Sequence, residues 1–98
     1  MNLEQIDKAL ENKVRLGIMS VLAVNDSMDF VSLKSLLGVT DGNLVTHLRT
    51  LENIGYIAAR KQFLGRKPNT SFSATPKGQK AFQDHLEALE AFINQHKP

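Results

Sequence analysis

Apolar positions recur along this chain at several spacings, and each spacing predicts a different element. In residues 40–55, TDGNLVTHLRTLENIG, the residues Leu44, Leu48, Leu51 and Ile54 fall four, three and three apart. That is one stripe on an α-helix of about four turns. Thr40 is placed to cap its N-terminus, and Asp41 sets a negative charge against the positive end of the helix dipole. Gly55 is placed to end it in a left-handed conformation. Upstream, Val14, Leu16, Ile18, Met19, Val21 and Leu22 make residues 14–24 apolar on most sides, which predicts a core helix. Gly17 inside it would admit a close neighbour, at about 1 kcal/mol of helix propensity relative to alanine. Leu3, Ile6 and Leu10 form a shorter helical stripe before it, with Asn12 able to cap a second segment.

Asn25-Asp26-Ser27 breaks the core helix. Residues 28–31 read as a small strand or an extended lead-in. Ser32 is placed to cap a brief helix that turns Leu33, Leu36 and Leu37 inward and ends at Gly38. A short helix, a turn holding Gly38 and a longer helix with a polar face form a helix-turn-helix layout. Residues 56–63 and 70–74 read as strands, and residues 64–69 as a Gly-Arg-Lys-Pro turn between them. Thr75 and Pro76 then open a last helix as N-cap and first helical residue. It carries Phe82, Leu86, Leu89 and Ile93 at seam spacing, widened by Ala81, Ala88 and Phe92, with His85 between.

Composition narrows the choices. Ninety-eight residues, 42% of them hydrophobic, make one domain with a modest core. With no cysteine, disulfides and thiolate metal sites are excluded. No apolar run reaches the roughly 20 residues of a bilayer span, and the acidic, amphipathic N-terminus does not fit a signal peptide. The expectation is a soluble, cytoplasmic protein without membrane partners.

The net charge of +2 hides an asymmetry. Residues 31–80 hold eight basic and two acidic side chains, a net charge of +6, while residues 1–30 and 81–98 are each −2. A basic block between acidic ends suggests a centre that faces a polyanion. The long helix sharpens this. Its polar face presents Asn43, Thr46, His47, Arg49 and Thr50, and no acid lies between Asp41 and Glu52. Arginine can pair with guanine in two hydrogen bonds, and asparagine with adenine. Asp41 fits a helix starter better than a reader. His47 fits a packing residue as well as a DNA contact, and Arg49 has Glu52 within reach on its own helix. In the hairpin, Arg60, Lys61, Arg66 and Lys67 offer cations for phosphate, a positioning role.

The order of elements and four stretches resemble the winged helix-turn-helix regulators, the group that includes the MarR and ArsR families. Residues 14–22 look like the group's "R-L-x-I-L-x-x-L" helix, residues 30–37 its "F-x-x-L" helix, and residues 74–78 its "L-T-x-x-G". Residues 44–57 match "L-S-x-H-L-x-x-L-E-x-x-G-Y-I", the most specific of the four. The resemblance covers roughly residues 10–90. It departs at Ala74, where the group has leucine, and in a wing without Asp-x-Arg.

The resemblance implies a mainly α fold with a small β-hairpin (α+β), a single winged-helix domain over residues 1–98. It implies a sequence-specific regulator of transcription that binds double-stranded DNA. Its recognition helix, about residues 41–54, would lie in the major groove. Its wing, about residues 60–72, would touch backbone or minor groove. A homodimer is expected through terminal helices at about residues 2–11 and 76–96, using Leu3, Ile6, Leu10, Phe82, Leu86, Leu89, Phe92 and Ile93. An alternative is a winged-helix protein-interaction module without DNA binding, which an acidic recognition face would have favoured. No residue points to a cofactor, a metal or a particular effector, though such regulators can take small molecules. Catalysis has little support, and no enzyme is expected: there is no cysteine nucleophile, phosphate loop or metal-spaced cluster. His85 and His96 would sit about 16 Å apart along one helix, too far to share a metal.

Overall fold

The computed structural model describes residues 6–96. After a 3₁₀ turn, Lys8–Glu11, come α1 (Lys13–Ala23), β1 (Met28–Asp29), α2 (Phe30–Leu37), α3 (Asp41–Asn53), β2 (Ile57–Leu64), β3 (Lys67–Ala74) and α4 (Pro76–Gln95). The strands form one antiparallel sheet in the order β1-β3-β2. This is the α+β winged helix-turn-helix arrangement. Leu10, Ile18, Met19, Leu22, Leu33, Leu44, Leu48, Leu51, Ile57 and Phe72 make a single core beneath the helices and against the sheet.

Local chemistry sets most boundaries. Asn12 accepts from the backbone N–H groups of Val14 and Arg15 and starts α1. Gly17 faces Leu37, whose Cδ2 lies 3.0 Å from where a β-carbon would stand, so α1 and α2 approach closely there. Thr40 caps α3 through the N–H of Asn43, and Lys34 pairs with Asp41 at 2.8 Å. At the other end Gly55 has φ 83°. Its N–H reaches Glu52 O and the N–H of Tyr56 reaches Leu51 O, a Schellman closure.

Four expectations need correction. Asp29, not Ser32, caps α2: its carboxylate accepts from the N–H of Ser32 at 2.7 Å. Bonds from the Ser32 hydroxyl and N–H hold its pKa below the usual carboxylate value. With α2 starting at Phe30, the inward stripe is Phe30, Leu33 and Leu37, and Leu36 is 63% exposed. The hairpin loop is also tighter, only Gly65 and Arg66, because the strands pair to Leu64↔Lys67. Gly65, at φ 68°, supplies the positive φ that a two-residue hairpin turn requires. Finally, the only helical turn described before α1 is Lys8–Glu11, and its Leu10 is 1% exposed, inside the protomer's own core. Leu3 lies outside the described residues.

A knot of contacts ties the hairpin base to α3 and α4. Thr75 Oγ1 donates to Gly55 O at 2.6 Å and accepts from the N–H of Gly78. The N–H of Thr75 donates to Tyr56 O, and Lys77 Nζ to Ile54 O at 2.8 Å. Gly78 passes so close that a β-carbon there would stand 2.0 Å from Tyr56 O. The backbone of residues 54–56, where α3 turns into the hairpin, is therefore held by the residues that follow β3.

Candidate nucleic-acid interface

The buried stripe of α3 is Leu44, Leu48 and Leu51. Opposite it, Asn43, Thr46 and Arg49 are exposed, while His47 and Thr50 are half-buried. The two threonine hydroxyls bend back along the helix, Thr46 Oγ1 onto Gly42 O at 2.9 Å and Thr50 Oγ1 onto Thr46 O at 3.1 Å. Each hydroxyl proton is thus engaged, and what each oxygen offers outward is lone pairs. Among the described residues, Arg49 enters no ion pair, and neither do Arg60, Lys61, Arg66 or Lys67.

His47 is turned toward α1. Its Nδ1 lies 3.0 Å from Arg15 Nη1, and Arg15 is itself anchored by its Nε on Ala9 O at 2.6 Å. A guanidinium only donates, so Nδ1 accepts and the neutral ring carries its proton on Nε2. Burial, and then the charge of Arg15, push the pKa of His47 below its ordinary value of 6.5. The ring is therefore neutral at pH 7, a single N–H donor rather than a cation.

The register of the hairpin sorts its side chains. Residues directly opposite share a face. Ile57, Ala59, Lys61 and Phe63 lie with Ala74, Phe72, Thr70 and Pro68 on the face whose base enters the core. Ala58, Arg60, Gln62 and Leu64 lie with Ser73, Ser71, Asn69 and Lys67 on the outer face. Arg60 and Lys61, adjacent in sequence, thus leave opposite sides of the ribbon. Beyond Ile57 every residue of β2 is exposed, so the ribbon stands clear of the body.

Between the wing's inner face and α3 runs a groove of about 410 Å³, lined by Val45, Arg49 and Glu52 on one wall and Pro68, Thr70 and Phe72 on the other, among others. Arg49 of the helix and the inner face of β3 therefore line one concavity, and Lys61 lies on that face of the ribbon opposite Thr70. Arg66 lies at the turn and Lys67 on the outer face, next to the tip. Thr70 and Asn69 are lining residues that the sequence reading passed over. The pleat parity of β3 would have marked Thr70, but only once the turn had been narrowed to two residues. Glu52 is the one acid on this groove.

The residues expected at a dimer contact divide. Leu10 is in the core, and Phe82 packs against it. Leu89 and Phe92 are half-buried, and Leu86 and Ile93 are 41% and 62% exposed. The inner edge of α4 is closed by Gly78, His85 and Ala88. Buried His85 is satisfied: its Nδ1 accepts from the N–H of Asp7 at 3.2 Å. The carboxylate of Asp7 accepts from Tyr56 Oη at 2.6 Å. Burial, reinforced by that carboxylate, raises the pKa of Tyr56 to about 12. Among the described residues, no three His, Asp or Glu side chains gather as metal ligands, and no helix is long and apolar enough to cross a membrane.

Comparison with known proteins agrees with this geometry. The model of a family described as the winged helix DNA-binding domain matches residues 14–93. An uncharacterised protein of Methanocaldococcus jannaschii is 33% identical over 79 residues, covering 81% of this chain and 86% of that one. The transcriptional regulator homologue protein from Pyrococcus horikoshii OT3 superposes with a TM-score of 0.85 at 32% identity, over 92% of this chain and 89% of that one. A MarR-family protein of Porphyromonas gingivalis W83 shares the fold at a TM-score of 0.68 and 18% identity, over 93% of this chain and 86% of that one. The chain belongs to the winged helix DNA-binding domain family, and it is a winged-helix transcriptional regulator.

Proposed function

We propose that the protein binds double-stranded DNA sequence-specifically as a homodimer, with α3 in the major groove and the hairpin on the adjacent backbone or minor groove. One observation carries this reading: the surface of α3 and the ribbon is cationic and nearly free of acid. Between Glu52 and Asp84 the chain has six basic residues and no acidic one. Arg49, in no ion pair among the described residues, shares its concavity with the inner face of the wing.

Roles follow from chemistry. Arg49 and Asn43 are the donors free to read bases, Arg49 suited to guanine and Asn43 to adenine. Thr46 and Thr50, as acceptors, suit the amino groups of adenine or cytosine. His47 offers its Nε2–H. Lys61, Arg66 and Lys67 contact phosphate, and Arg60, on the outer face, contributes mainly long-range attraction. In the homodimer, Leu86, Leu89, Phe92 and Ile93 of α4 meet their symmetry mates. The two recognition helices would then address half-sites about one helical turn apart.

In-vitro selection of bound duplexes tests the reading. It predicts an enriched motif with two-fold symmetry, and that Arg49→Ala relaxes one position by about 1–3 kcal/mol. No enrichment would leave the protein-interaction alternative. Leu86→Glu with Ile93→Glu, both exposed, should halve the mass seen by light scattering; a monomeric mass for the unaltered protein would contradict the dimer.

A further inference from the structure

We infer that the wing drives an apolar wedge, Phe63 backed by Pro68, into the minor groove of bound DNA and unstacks a base step there. The inference rests on the DNA-binding reading above and specifies how the hairpin is used. Phe63 is 72% exposed, at the free end of a ribbon whose base alone is packed. Its cross-strand neighbour is Pro68, also exposed, so the two form one apolar patch rather than scattered residues. That patch lies on the inner face with Lys61 and Thr70, the face that looks across the groove to Arg49. It is therefore on the side that meets the duplex when α3 does.

Cations surround the patch: Lys61 below it on the same face, Arg66 at the turn and Lys67 beside Pro68. Phosphate attraction brings the tip to DNA, and no acid in the hairpin opposes it. Held there, Phe63 and Pro68 find an apolar surface only in the sugar edges and the base stack. The two-residue turn keeps the tip narrow, which suits a groove about 6 Å wide. Phenylalanine, leucine and proline wedges open base steps and kink duplexes by about 20–90°. Leu64, 65% exposed but on the outer face, supplies an internal control of equal apolar character.

The test uses the whole protein and a 30-base-pair duplex recovered by selection, carrying end fluorophores for energy transfer and 2-aminopurine beneath the wing. The unaltered protein should shorten the end-to-end distance and brighten 2-aminopurine. Phe63→Ala should abolish both, keeping its thermal midpoint and the salt dependence of binding. Leu64→Ala should retain both signals. A straight, fully stacked duplex under the bound protein, or both signals surviving Phe63→Ala, overturns the wedge and leaves DNA binding intact. Failure of the unaltered protein to bind any duplex removes the underlying reading, and the wedge with it.

Discussion

The base and the tip of the hairpin are joined by the same two strands and obey different constraints. At the base, Ile57 and Phe72 are 3% and 6% exposed, and Thr75, Lys77 and Gly78 lock the backbone of residues 54–56. At the tip, Phe63 and Leu64 are 72% and 65% exposed, and the cations have no partner among the described residues. Side chains at the base are chosen by the rest of the chain, because a misfit there costs stability. Among the described residues, side chains at the tip are exposed and stand outside the core, so their identity reports on what the wing meets. Substitutions should therefore divide cleanly: folding suffers at the base, binding at the tip.

The largest effect is expected from Gly78→Ala. Its β-carbon would overlap Tyr56 O, and the atoms it meets are all backbone of Tyr56, none of them a flexible side chain that can swing aside. Urea unfolding should show a loss of about 3 kcal/mol or more, at the upper end of overpacking costs. A loss under about 1 kcal/mol would show that the knot is looser than the geometry indicates.

Tyr56→Phe should cost about 1–2 kcal/mol at pH 7, by removing the bond to Asp7 that ties the N-terminal segment to the hairpin base. It should also change the alkaline limb. The phenol titrates near 10.0 when unfolded and near 12 when folded, so the folded state holds the extra proton between those values. That contribution is complete below pH 10 and is lost as pH rises through about 12. The phenylalanine variant should lack this component of the alkaline decline, seen as a smaller difference in midpoint between pH 9 and 11.

At the tip, Arg66→Ala with Lys67→Ala should leave the thermal midpoint unchanged. The same pair should lower the slope of log K against log salt by about 1.8, two phosphate contacts at about 0.9 each. A destabilised fold with an unchanged slope would reverse the assignment of base and tip.

The smallest effect is a pH dependence at His47. Below pH 6.5 the unfolded chain takes up a proton that the folded ring, with its lowered pKa, refuses until lower pH. Stability therefore rises with pH up to about 6.5 and is lost as pH falls through the folded value. His47→Gln should flatten the midpoint between pH 5 and 7. If the slope is untouched, the ring is not packed against α1 and Arg15 as the structure has it.

What could be read from the chain was whatever depends on near neighbours. The α3 stripe, its Thr40 cap, the Gly55 closure and the Thr75-Pro76 start all rest on residues within a few positions of each other. What could not be read depended on distance. Asp7, Tyr56 and His85 lie up to 78 residues apart and signal nothing until the fold joins them. Gly78 stood in a motif, but its reason is a carbonyl 22 residues away. Asp29 and Ser32 are both good caps, and only the helix start distinguishes them. Pro68 looked like a turn residue by the composition of residues 64–69, and strand interiors exclude proline. Here β1 covers only residues 71–72 of β3, so the edge beside Pro68 is open and the strand continues through it. At the interface, the cations were legible from composition, but their division between two faces needed the register.

DNA binding by α3 and the hairpin is tested by equilibrium binding of the unaltered protein to a duplex recovered by selection, followed by fluorescence anisotropy from 50 to 300 mM salt. Binding should be tight at low salt and fall linearly on a double-logarithmic plot, with a slope of about −0.9 for each phosphate contacted. Binding that is absent at 50 mM salt, or that does not change with salt, would contradict DNA binding by these elements.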